Sequence, residues 1–365
     1  MSFLRGQVDP SKGEHRYARV GYLKPPFPTQ GEVFDVYVPR DELGELQQDL
    51  LAFLSGRDQG KVWALSGRQG VGKSNFLRMV KRQLEEMRAE GEVSATGVHL
   101  FHGNSWAPSY LIAGVSDAIG AETVAKLLGT ATQPPAGFAQ TDFGRFWSRA
   151  RSQGNLTAAS EFLMRWLGGA QTYAPERTTY GITARDRLAP AIAVPYLRAL
   201  VEMLSVSDIL KRIILLFDEL ENVQAMRPAQ QVEYMQLLKT LLNAFNWQGM
   251  YVLLAGAPAV FNYVQSTLPS LAGRWKLVEL QPLRSVEHAL RFAEEYKRHA
   301  INPKRNPDLA NVFPTEIDIK AAYIDLSQER SGGVRQRDML SKLHELLEAH
   351  LTKSASTPPR TVPRS

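Results

Sequence analysis

The stretch GRQGVGKS, residues 67–74, decides how the rest of the chain is read. It follows a short apolar run, KVWALS (61–66), and leads into SNFLRMVKRQLEEMRAEG (74–91). In the latter, Phe76, Val80, Leu84 and Met87 share one helical face. The order strand, glycine turn, helix is the context in which G-x-x-x-x-G-K-[ST] binds phosphate. Glycines let the backbone bend until several N–H groups converge on phosphate oxygens, and the helix N-terminus adds a partial positive charge. Lys73 is expected to reach the β- and γ-phosphates of a nucleotide, and the Ser74 hydroxyl to ligate Mg²⁺. The expected nucleotide-binding set is Gly67, Arg68, Gln69, Gly70, Val71, Gly72, Lys73, Ser74 and Asn75. The competing reading, a glycine-rich turn that matches by chance, is disfavoured by the flanking strand and helix.

A second stretch, LLFDELENV (215–223), runs from apolar residues into adjacent carboxylates. Such a pair is by itself compatible with the solvated start of a helix. Beside a phosphate loop, Asp218 at the end of RIILLF (212–217) is expected to ligate the magnesium ion. Glu219 is expected to activate the attacking water as a general base. Glu221 reads as a first-turn carboxylate that favours the helix dipole.

The 365 residues suffice for a sizeable core and two to three domain-sized units. With 44% apolar and 22% charged residues, the composition is that of an ordinary globular protein. The chain has no cysteine, which excludes disulfides, thiolate catalysis and cysteine-ligated metal centres. The net charge of +6 and pI near 9.4 are mildly basic and compatible with nucleic acid without requiring it. The sequence shows neither a signal-peptide h-region nor a membrane-length apolar run, so a cytoplasmic location without a membrane partner is the default expectation.

Outward from the loop, residues 1–40 read as an extended arm rich in Pro, Gly and aromatics. RDELGELQQDLLAFLSG (40–56) places Leu43, Leu46, Leu50 and Leu54 at helical spacing, with Asp41 as the N-cap and Gly56 near the C-cap. Further strands are expected at 96–103, 212–217, 250–256 and 276–280, alternating with helices such as 109–120. The fold class is therefore α/β: a mostly parallel five-stranded sheet flanked by helices, spanning residues 41–282. Lys73 and Asp218 stand 145 residues apart, more than two or three strand–helix units need, so a helical insertion is expected at about 125–205. Its recognisable helical pieces lie near 158–167 and 195–204. Residues 283–352 read as a helical lid, with Leu340, Leu343, Leu347 and Leu351 on one stripe. Residues 353–365 lack periodicity and read as a disordered tail.

With these motifs in place, the chain resembles an AAA+ P-loop ATPase of the clade containing origin-recognition initiators and bacterial transposition regulators. The resemblance rests on GRQGVGKS, LLFDE, VLLAGAP, AGRWKLVELQPL and SGGVRQRDML, and spans roughly residues 38–350. YVPRDELGEL looks like the segment this family lays over the adenine. The resemblance implies ATP and Mg²⁺ as cofactors and a homo-oligomer with nucleotide at the subunit interface. It also implies protein partners and an action on DNA. It gives Arg274 the place of an arginine finger aimed at a neighbour's γ-phosphate, and Arg335 the place of a lid arginine that contacts bound nucleotide. Both suit a permanently charged, forked guanidinium, although the chain is arginine-rich and either residue could be structural. The insertion's FLMRWLGGAQTYAPERTTYGI (162–182) is similar to ATP-binding proteins of BREX-type phage-defence islands.

Two features depart from the clade. AGAPAVF (255–261) lacks the polar residue that senses γ-phosphate, which argues against fast hydrolysis. No helix-turn-helix or winged-helix pattern follows the lid, so sequence-specific DNA reading has little support. His99 and His102 point to opposite faces of one strand and make a poor metal pair. Trp63, Trp106, Trp147 and Trp166 read as core before base-stacking residues. The basic residues of RMVKRQLEEMR read as a solvated helix face. Three functions compete: an ATP-driven switch, an ATP-binding scaffold with negligible turnover, and a small-molecule kinase.

Overall fold

Residues 213–217 and 250–256 are buried runs because both faces of their strands are covered, as in a parallel sheet flanked by helices. The computed structural model describes residues 17, 22, 26–27, 36–93, 96–101, 108–183, 187–245, 249–301, 312–328 and 332–356. Five strands form one sheet: β1 (Val62–Ser66), β2 (Thr96–Phe101), β3 (Arg212–Phe217), β4 (Met250–Gly256) and β5 (Trp275–Glu279). Their order is β2-β3-β4-β1-β5 and all neighbours pair in parallel. This is the α/β P-loop architecture expected from the motifs. Ser66 pairs with Gly256 and Glu279, and Phe217 with Leu254, so the carboxyl ends of β1, β3 and β4 share one sheet edge.

The helices are α1 (Gly44–Leu54), α2 (Lys73–Ala89), α3 (Pro108–Ile119), α4 (Ala121–Thr130), α5 (Asp142–Gln153), α6 (Leu156–Leu167), α7 (Ala174–Thr179), α8 (Pro190–Val206), α9 (Pro228–Ala244), α10 (Pro258–Thr267), α11 (Pro269–Ala272), α12 (Val286–Ala300), α13 (Glu316–Gln328) and α14 (Gln336–Ser356). The long interval between β2 and β3 is helical. Its core joins the sheet's own: Phe143, Phe146, Trp147, Phe162 and Trp166 bury among Leu163, Val194 and Leu197. Trp147 and Trp166 are fully enclosed, and so are core residues rather than stacking platforms. Trp63 is also core, with the Lys276 ammonium 5.2 Å from its ring centroid.

Local chemistry sets the helix ends. Thr141 accepts the Gly144 N–H at the start of α5, and Asn155 accepts the Ala158 N–H at the start of α6. Asp41, expected as an N-cap, instead opens a single 3-10 turn, Asp41–Leu43, and α1 begins at Gly44. Pro195, expected to start a helix, lies inside α8, because Pro190 takes the first helical position, where no N–H is needed.

The chain divides into two units. One comprises residues 40–68 and 76–280. The other gathers residues 69–75, the described residues before Arg40, and those from Gln281 onward. In this second unit Tyr17, Tyr22, Phe27 and Val36 bury together with Phe292, Tyr296, Leu343 and Leu347. Tyr17, Tyr22, Phe27 and Val36, expected as part of an extended arm, thus contribute core to the helical lid. Tyr17 donates to Glu348 at 2.5 Å, and Asn75 donates to the Val36 carbonyl at 2.6 Å. Helix α14 continues to Ser356, past the expected boundary at 352. The tail at 357–365, most of residues 1–35, His102 and Trp106 lie outside the described residues. Among the described residues no helix is long and apolar enough to cross a membrane.

Candidate nucleotide site

β1 ends at Ser66, whose carbonyl accepts the Leu280 N–H at 2.7 Å, while the Gly67 N–H donates to the Gly256 carbonyl at 3.2 Å. These bonds anchor the start of the loop to both neighbouring strands. Two turns later the backbone takes positive φ at Gly70 (85°) and Gly72 (100°), which residues with a Cβ rarely adopt. Helix α2 then starts at Lys73, so the N–H groups of its first turn point back toward the loop. Lys73 and Val71 are buried, whereas Arg68 and Gln69 are exposed. Lys73 is only 7% exposed.

The lid reaches this loop directly. The Arg337 N–H donates to the Gly70 carbonyl at 3.2 Å. A Cβ on Gly70 would stand 3.3 Å from Arg337 Cβ and 3.7 Å from Arg335 Cβ. Arg335, the expected nucleotide-contacting arginine, is therefore close to the loop. Its guanidinium, however, forks onto Asp338, with Nε 2.7 Å from Oδ2 and Nη2 2.9 Å from Oδ1. The three-residue spacing of Arg335 and Asp338 on a predicted helix start was the signal for that pair.

Asp218 follows β3 at the sheet edge from which Gly67 leaves β1, two strand positions away, or roughly 10 Å at ~4.8 Å per strand. It is 2% exposed, and its Oδ1 accepts the Glu219 N–H at 3.0 Å. Glu219 is exposed and held in the left-handed region (φ 59°, ψ 43°). A 3-10 turn, Leu220–Ala225, follows it. Within that turn the Asn222 amide donates to Glu219 Oε2 at 3.2 Å.

Glu221, read as a first-turn carboxylate, stands in the first turn of Leu220–Ala225 and in addition accepts the Ala257 N–H at 3.0 Å, just before α10. That tertiary contact has no local sequence signal. It also explains the plain end of β4. A Cβ on Gly256 would meet Val260 Cγ1 at 2.7 Å, Leu220 Cβ at 3.2 Å and Glu221 Oε2 at 3.3 Å, so no side chain fits there.

Arg274 precedes β5 at the amino edge of the sheet, because Trp275 pairs with Val62 and Glu279 with Ser66. It is exposed and lines a cleft of about 360 Å³ with Lys61, Val62, Phe245, Met250 and Lys276. Lys61 pairs with Asp49 at 2.9 Å and Lys276 with Glu45 at 2.7 Å. Arg274 has no side-chain partner among the described residues. Its level in the sheet, one residue before the Val62–Trp275 pair, lies roughly 20 Å from Gly67 at ~3.3 Å per residue, beyond the reach of an arginine side chain.

The buried carboxylate of Asp218 in one unit and, separately, the hydroxyl of Ser74 in the other are hard oxygen donors, the chemical type that magnesium takes. Among the described residues no group of three or more His, Asp or Glu side chains gathers into a separate metal cage. His99 lies 3.9 Å from Asp117 and edge-on to Phe101, a structural setting. On α2, Lys81 and Glu85 stand at 3.7 Å and Arg82 and Glu86 at 3.8 Å, a solvated face of i,i+4 pairs.

Residues 116–276 match the family model of the BREX system ATP-binding protein BrxC/D. The match takes in Asp218, Glu219 and Arg274 and begins after the glycine loop. No curated protein matches the chain. Among solved structures, the chain is similar to the Aeropyrum pernix ORC2 protein in ADPNP–ADP complexes, at 13% identity and a TM-score of 0.44 over 91% of this chain and 74% of that one. It is similar to the Aeropyrum pernix ORC1 protein in complex with DNA, at 16% and 0.48 over 90% and 67%. It is likewise similar to Cdc6p from Pyrobaculum aerophilum, at 15% and 0.47 over 92% and 67%.

Proposed function

We propose that this chain is an ATP-binding and ATP-hydrolysing conformational switch that works in a multi-protein assembly of a BREX-type phage-defence system. The observation that carries the reading is one sheet edge that releases a glycine phosphate loop from β1 and a buried aspartate with an adjacent exposed glutamate from β3. The family description matched by residues 116–276 supports ATP binding and the biological setting.

In this reading the N–H groups of residues 67–74 and the Lys73 ammonium hold the β- and γ-phosphates. Ser74 and Asp218 hold Mg²⁺, which neutralises phosphate charge when bound. Glu219 takes the proton of the attacking water. Arg274, a strand's length from its own loop, serves a neighbouring copy in a homo-oligomer. Arg335 exchanges Asp338 for the nucleotide and so ties the lid to nucleotide state. DNA is the partner through which the assembly acts. The insertion's arginines give that contact little support: Arg145, Arg149, Arg151 and Arg177 donate to main-chain carbonyls within it. DNA contact therefore belongs to other surfaces or to a partner protein.

One observation favours a second reading, an ATP-bound scaffold with negligible turnover. The end of β4 has no polar side chain and no room for one at Gly256. Phosphate release by wild type and Glu219→Gln, with and without DNA and with oligomeric mass recorded, separates the two. The switch requires slow wild-type hydrolysis lost by about 10²–10⁴-fold in Glu219→Gln with ATP binding retained. Equal, negligible rates in both proteins favour the scaffold.

A further inference from the structure

An exposed glutamate has three side-chain torsions to fix before one particular oxygen can meet a water molecule. Around Glu219 the fixing groups are close at hand. Its N–H donates to Asp218 Oδ1 at 3.0 Å, and its left-handed backbone sets where the side chain leaves the turn. The Asn222 main-chain N–H donates to the Glu219 carbonyl at 3.0 Å, closing the turn. The Asn222 side-chain amide donates to Glu219 Oε2 at 3.2 Å. Farther along, the Glu221 carboxylate accepts the Ala257 N–H at 3.0 Å, which fastens the turn to the end of β4. Glu219 Oε1 has no hydrogen-bond partner among the described residues.

We infer that Asn222 is the positioning residue of the general base: its amide holds one oxygen of the Glu219 carboxylate and leaves the other to receive the water proton. This rests on the reading of Glu219 as that base. An amide suits the task chemically. It donates to a carboxylate without carrying charge, so it orients one oxygen without forming an ion pair. The backbone alone does not do this, because the bond at the Glu219 carbonyl constrains the turn and not the side-chain torsions. In this proposal Asn222 acts through Glu219.

The test compares the whole chain as wild type, Asn222→Ala, Asn222→Gln and Glu219→Gln for phosphate release at saturating Mg·ATP. Nucleotide affinity is read separately by titration with a fluorescent ATP analogue. Asn222→Ala is expected to lower kcat on the order of tenfold, with affinity unchanged within about twofold. Asn222→Gln, which keeps the amide donor on a side chain one methylene longer, is expected to recover part of the lost kcat. Wild-type kcat in Asn222→Ala, with Glu219→Gln silent, would overturn the inference. So would parallel losses of kcat and affinity in Asn222→Ala that Asn222→Gln does not relieve, the mark of a purely structural residue. Wild-type hydrolysis by Glu219→Gln, or none by the wild type, would instead remove Glu219 as the base, and the inference would fall with it.

Discussion

At Gly70, φ of 85° and the close approach of Arg337 act on one atom position. Gly70→Ala would strain the backbone and press a methyl group against the lid turn, at a cost of about 1–3 kcal/mol. It is expected to lower the unfolding temperature and weaken ATP binding together, read by calorimetry and nucleotide titration. Normal affinity would mean that the loop's shape is not what binds the phosphates. The places of Lys73 at a helix start and of Asp218 just after a strand were legible in the sequence, because one lies in a short glycine motif and the other ends an apolar run. The partners of Glu221 and Arg335 were legible only in part. Asp338 stands three residues from Arg335, a visible helical spacing, whereas Ala257 reaches Glu221 only through the packing of β4 beside β3.

Among the elements, β3 and β4 matched their expected limits because each is a buried run ending in a polar or glycine residue. Helix starts were harder, since a cap is a geometry before it is a residue type. The α6 cap illustrates this: Asn155→Ala removes an acceptor for the Ala158 N–H and is expected to cost about 1 kcal/mol in urea unfolding, with ATP affinity untouched. Lost affinity at unchanged stability would contradict a role confined to the helix end.

At the start of α13, hydrogen bonds from Thr315, with the His350 ring nearby, hold the Asp318 carboxyl below its usual range. A depressed carboxylate stabilises above its unfolded pKa of about 3.9 and loses that contribution as pH falls through its lower folded value. The stability gap between wild type and Asp318→Asn should therefore be full near neutrality and close below about pH 4. A gap independent of pH would show that the ionised form is not what matters.

For the whole molecule, the motifs gave the α/β sheet and the helical lid, but not that Tyr17, Tyr22 and Phe27 belong to the lid's core. Extended Pro-rich segments carry no periodicity by which burial can be read. The long helical interval was visible as a distance, 145 residues between Lys73 and Asp218, yet its enclosed tryptophans left no pattern that separates core from contact surface. The account's central claim is that ATP is hydrolysed where two copies meet, with Glu219 from one and Arg274 from the other. The most direct measurement is phosphate release by Arg274→Ala and Glu219→Gln proteins, each alone and mixed in equal amounts. The account expects both variants to be silent alone and the mixture to recover activity, as an intact Arg274 completes sites that retain Glu219. Normal hydrolysis by Arg274→Ala alone, with no change on mixing, would contradict it.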